Sequence, residues 1–187
     1  MNGQRLLGLG VLSLSLLVSS AFAADDKAAK QAEVVKSTQA ALERFYKEKP
    51  ELKADVGKAP GFGVFTTYGV SFLIGGSGGT GLVRDNKTKK NTFMKVGGAS
   101  AGLQLGASQT ELLIVFKTPA AMNKFIESGW EAAGAATAAA GASGATVGGG
   151  KGSSAMEDAN TYTLTKTGLD VGLAGGISKF WKDTDLN

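Results

Sequence analysis

Lys87, Lys89 and Lys90 form the densest basic cluster in the chain, inside a polar stretch, residues 85–91, that reads as a turn. Ammonium groups that close together can hold an anionic surface by charge, each adding roughly 1 kcal/mol near acidic lipid headgroups. A solvated hairpin tip explains the same residues without a ligand. Lys27, Lys30 and Lys36 make a second basic patch nearer the N-terminus. Covalent chemistry has less to work with. The chain has no histidine and no cysteine, which removes the usual general base, the thiol nucleophile and most transition-metal ligands. Glu157, Asp158, Asp170, Asp183 and Asp185 fall near turns or the C-terminus, where solvated carboxylates are ordinary. Asp183-Thr184-Asp185 lacks the glycine and the closing glutamate of a calcium loop. The expectation is a binding protein with no catalytic residue, no cofactor and no metal.

Glycine supplies the other signal. Residues 97–106 read Gly-Gly-Ala-Ser-Ala-Gly-Leu-Gln-Leu-Gly. At period two, Gly98, Gly102 and Gly106 share one face of a strand with Ser100 and Gln104. A face stripped of side chains lets another backbone, or a flat apolar molecule, come very close. The same three glycines match the small-residue spacing of packed membrane helices, but Lys95 and Gln104 do not suit a lipid-facing span. Gly76 to Gly81 matches G-x-G-x-x-G in letters, yet a short strand and a turn follow where a dinucleotide site needs a helix. Residues 148–153 superficially suggest a phosphate loop, but Gly152 stands where a magnesium-binding Ser or Thr is required. A flexible loop fits better.

The elements that must carry these residues can be read from periodicity. Val34, Val35, Thr38, Ala41, Leu42 and Phe45 recur at helical steps, which predicts a helix over 25–49, ended by Pro50 and packed on its own domain. Strands are expected at 62–66, 69–74, 81–84 and 92–96, the last leading into the glycine tract. The run 112–116 is apolar throughout, as in a strand buried on both faces. Thr118-Pro119 starts a helix over 119–131, with Met122, Phe125, Ile126 and Trp130 on its apolar stripe. Residues 132–152 are nearly all Ala and Gly and read as close-packed extended chain, followed by a mobile loop at 148–154. A hairpin of 162–165 and 169–174, turning near Thr167-Gly168, closes the chain.

The first residues look like an export signal. Arg5 precedes the apolar run 6–18, and Ala21-Phe22-Ala23 supplies a cleavage pattern, so cleavage is expected after Ala23. The run is too short to span a bilayer, and no cysteine follows it to carry a lipid anchor. The expected location is the periplasm, with the protein soluble or peripheral on a membrane. A formal net charge of +4 is too weak to argue for nucleic acid and is compatible with acidic lipid.

Taken together, residues 61–65, 69–76, 78–83, 97–106, 112–116 and 162–168, with Gly172-Leu173 and Leu186-Asn187, resemble the SYLF domain family. The resemblance covers nearly the whole chain after residue 23. It implies phospholipid binding, with phosphoinositide and actin binding in eukaryotic relatives, and no catalytic residues to carry over. The eukaryotic pattern has a Trp and a Pro before the glycine tract, where this chain has Thr92-Phe93-Met94-Lys95. Actin and phosphoinositide binding are therefore not carried over.

The resulting expectation is an α+β fold. A curved antiparallel sheet, barrel-like if its edges meet, is flanked by an N-terminal and a mid-chain helix. Residues 1–23 are the signal, 24–58 the N-terminal helical segment and 59–187 the glycine-rich β core. The expected partner is an anionic phospholipid or membrane surface. The competing expectation is a structural module that docks an envelope protein through its glycine surface.

Overall fold

A computed structural model describes residues 16–72, 74–101, 106–133, 158–165, 168–171 and 177–187. Helix α1 (Leu16–Glu48) runs into a short α2 (Leu52–Lys58). Four long strands follow: β1 (Gly61–Phe72), β2 (Ile74–Asp85), β3 (Asn91–Ala101) and β4 (Gly106–Phe116). Then come α3 (Pro119–Ser128), β5 (Trp130–Ala133), β6 (Ala159–Thr165), β7 (Gly168–Val171) and β8 (Ile177–Lys182). All pairings are antiparallel, in the order β5-β8-β3-β2-β1-β4-β6-β7. Strands β1 to β4 form a Greek key: three hairpin-linked neighbours, with the fourth returning beside the first. The sheet is curved and, among the described residues, open, because its edge strands β5 and β7 do not pair.

Each half of the α+β expectation has a visible cause. Val34, Thr38, Ala41 and Phe45 are buried while Lys36, Glu43 and Lys47 face water, so α1 lays its stripe on the sheet. Ala41 and Phe45 pack with Leu52 and Val56 of α2 on Phe62, Val64, Leu113, Val115 and Tyr162, while Val34 packs on Leu82, Phe93 and Leu186. On the opposite face, Met122 and Phe125 of α3 join Phe65, Val83, Met94, Ile114, Phe116 and Phe180. The Phe65 and Phe180 rings meet edge to face, with centroids 4.9 Å apart. Residues 112–116 are buried throughout, because β4 is central and covered on both sides.

Three expectations change. Helix α3 starts as expected, the Thr118 hydroxyl accepting from Ala121 N at 3.2 Å. It stops at Gly129, however, whose φ of 65° turns the chain out. Trp130 therefore belongs to β5 and not to the helix stripe. The tract 97–106 is not one strand: Gly98 lies in β3 opposite Ser77, and Gly106 lies in β4 opposite Ser71. Strands β1 and β2 separate them, so they share no single strand face. Gly102 and residues 148–154 lie outside the described residues. Asp183, expected to be solvated, is buried.

Candidate membrane-facing surface

The register orders the α1 face of the sheet into rows. Leu113, Val64, Leu82 and Phe93 stand side by side across β4, β1, β2 and β3, all buried. Two residues further along each strand come Glu111, Thr66, Thr80 and Lys95, with Trp181 of β8 alongside. The next row is Gln109, Tyr68, Gly78, Gly97, Lys179 and, on β5, Glu131. Successive rows therefore pass from apolar, to ionic, to nearly bare.

The ionic row is neutralised within the fold. Arg44 of α1 pairs with buried Glu111 in a bidentate contact, Nε donating to Oε2 at 2.9 Å and Nη2 to Oε1. That carboxylate holds the Arg44 pKa above its ordinary value. Lys95 donates to Asp183 Oδ1 at 3.1 Å and to Asp185 Oδ2 at 3.2 Å. Hydrogen bonds to these two carboxylates raise the Lys95 pKa. The acids belong to a C-terminal turn that is itself tied to β3. The Asn187 side-chain amide accepts from Phe93 N at 3.0 Å and donates to Phe93 O at 2.7 Å.

Beyond this row the face opens. An added Cβ at Gly76 or Gly78 would meet no atom within 4 Å. Tyr68 is 63% exposed and Trp181 41%, the only large exposed hydrophobic side chains among the described residues. The Trp181 indole leans over Gly97, 3.1 Å from where a Cβ would stand. Lys179, in the same row as Tyr68, is exposed. An aromatic ring thus rises on each side of a glycine floor, with Lys179 and its register partner Glu131 at one end. Sequence reasoning missed Tyr68, Trp181 and Lys179; the alternation Ile177-Ser178-Lys179-Phe180-Trp181-Lys182 was the available signal.

The lysines singled out from sequence lie elsewhere. Lys87, Lys89 and Lys90 are exposed at the β2–β3 turn. Asp85 Oδ1 accepts from Lys87 N at 2.7 Å and Thr88 N at 3.0 Å, which makes the turn rigid. These bonds, led by that from Thr88, lower the Asp85 pKa. Asn86 Nδ2 fastens the turn to α2 by donating to Val56 O and Ala59 O at 2.7 and 2.9 Å. Asp85 and Gly78 are seven steps apart along β2, about 23 Å at 3.3 Å per residue. The tip and the bare face therefore occupy different ends of the sheet. In the second patch, Lys30 pairs with Asp26 at 2.7 Å and Lys27 donates to Asn187 O at 2.8 Å, which leaves Lys36 exposed beside two engaged cations.

Among the described residues, no group of three acidic side chains is placed to hold a metal ion, and no helix is long and apolar enough to cross a membrane. A family model described as "Las17-binding protein actin regulator" (Ysc84) matches residues 97–187. The chain is also similar to Beta cell expansion factor A of Aeromonas veronii, 32% identical over 166 residues. The match covers 86% of this chain and 60% of that protein, so the chain spans about three fifths of its relative's length. A β core with the glycine blocks in order, the family match and this relative agree: residues 97–187 match the SYLF (Ysc84) family, whose domains are lipid-binding and actin-related.

Proposed function

We propose that this chain is a non-catalytic phospholipid-binding protein of the bacterial cell envelope, exported by a signal cleaved after Ala23 and acting in the periplasm. One observation carries the reading: the sheet surface around Gly76 and Gly78 stays uncovered by the described helices, beside two exposed rings. Apolar contact supplies affinity. The lysine tip at Lys87, Lys89 and Lys90 steers the protein toward anionic headgroups. Co-sedimentation of the chain lacking residues 1–23 with vesicles tests this. Recovery is expected with phosphatidylglycerol vesicles, less with phosphatidylcholine, and it falls with added salt. Recovery that is absent, or equal for both lipids, favours an envelope protein as the partner.

A further inference from the structure

We infer that the sheet face bearing Tyr68, Trp181 and Lys179, and not the lysine tip, is the surface that docks on the bilayer, its two rings entering the headgroup region. The inference rests on the phospholipid reading and adds the orientation.

The observations select this face in three steps. First, apolar exposure is concentrated there. Tyr68 and Trp181 flank Gly78 and Gly97 in adjacent rows, about three strand spacings apart, or roughly 14 Å. Tyr and Trp are the side chains that favour a boundary with one wet and one apolar side. Because Gly78 and Gly97 carry no side chain, the Trp181 indole lies over Gly97 while Tyr68 borders the open floor at Gly78, so both rings are presented on one surface.

Second, the described charges of this face are balanced, so a lipid surface meets no net repulsion and the rings set the contact. Glu111 and Lys95 are held by Arg44 and by Asp183 and Asp185 in the row behind. Lys179 is exposed in the open row itself, with Glu131 of β5 as its register partner, so this row carries one charge of each sign. Asp185 lies at the C-terminal turn, toward the helix-covered half, away from the rings.

Third, a second copy of the chain fits poorly. Two rings expose a few hundred Å² at most, against the 1,200 Å² or more of a stable interface. The lysine tip, about 23 Å away along β2, lies beyond two Debye lengths at physiological salt. It acts on approach more than on the bound state.

The test uses the chain lacking residues 1–23, with Trp130→Phe so that Trp181 is the remaining indole. Phosphatidylglycerol vesicles carrying a brominated acyl chain are added and Trp181 emission is followed. Quenching and a blue shift are expected. Tyr68→Ser with Trp181→Ser should weaken vesicle binding about ten-fold, while charge reversal at Lys87, Lys89 and Lys90 should change it by less than about three-fold and mainly slow association. If Trp130→Phe does not fold, the difference in quenching between the unsubstituted chain and Trp181→Phe gives the same readout. Binding with Trp181 unquenched, or binding abolished by the lysine reversals alone, overturns the orientation and leaves phospholipid binding standing. Absence of binding by the unsubstituted chain overturns both. A dimer in light scattering that dissociates in the double serine variant identifies a second copy as the occupant and also overturns the orientation.

Discussion

The two ends of the sheet use glycine for opposite purposes. Toward the helix-covered end, Gly81 faces the backbone of β1 so closely that a Cβ would stand 2.1 Å from Val64 O, and at Gly79 the corresponding distance is 2.0 Å from Thr66 O. There glycine permits the strands to approach and bend beneath two layers of helices. One row further, on the other face, Gly76 and Gly78 have open space above them. There glycine leaves a surface bare. The same residue in the same strand is thus a packing requirement at one position and an absence of packing at the next. The contrast marks where the core ends and the candidate contact surface begins.

The sharpest way to break this contrast is Gly81→Ala. Its methyl group would collide with Val64 O and with the Phe65 ring and Cα, none of which can retreat without displacing β1. A loss of at least about 3 kcal/mol is expected in chemical denaturation. A loss below about 1 kcal/mol would show that the close approach is not required. Next in size is Arg44→Met, which keeps the aliphatic stem of α1 and strands the buried Glu111 carboxylate. Gln109 still donates to that carboxylate at 3.3 Å. A cost of about 2 kcal/mol is expected, and Glu111→Gln on the same background should recover part of it.

Much of the helix-covered end could be read from sequence. The α1 stripe, the Thr118 cap and the run 112–116 are local patterns, and burial follows from them. What escaped depends on partners distant in sequence. Asp183 reads as a solvated tail residue until β3 brings Lys95 against it. The tract 97–106 keeps its period across a break that small residues do not announce, so one expected face became two strands. Gly129 was a legible helix stop, which the apolar Trp130 masked. The exposed pair Tyr68 and Trp181 lies more than a hundred residues apart in the chain. It becomes a surface only through the order β8-β3-β2-β1. The lysine tip, legible as a cluster, sits at the far end of β3 from Gly98, which only the strand register shows.

Between the two ends lies the ionic row, and pH can probe it. The Lys95 pKa is raised in the fold by the hydrogen bonds it donates to Asp183 and Asp185. A raised folded value means the contribution is fully present below the unfolded value of 10.5 and is lost as pH climbs through the folded one. The chain should therefore lose stability on the alkaline side above that value, and Lys95→Met should flatten this limb. Asp183 keeps a donor in Asp185 N at 3.0 Å, so the neutral-pH cost should be about 1 kcal/mol. Matching alkaline limbs in the two proteins would mean that the turn is held by the Asn187 and Phe93 bonds without Lys95.

The smallest expected effect discriminates best, because its sign is at stake. Gly78→Ala adds a methyl group where no atom lies within 4 Å, at a backbone that needs no left-handed angle. The substitution removes conformational freedom from the unfolded chain and disturbs nothing in the folded one, so stability should rise by about 0.5 kcal/mol. Vesicle binding should stay within about two-fold, because a methyl group remains below the height of the Tyr68 and Trp181 rings. A destabilisation beyond about 1 kcal/mol would mean that this face is covered in the folded protein, which would rule out a bilayer contact there. Gly81→Ala and Gly78→Ala differ by three positions in one strand, and the difference in their effects measures how abruptly packing gives way to open surface.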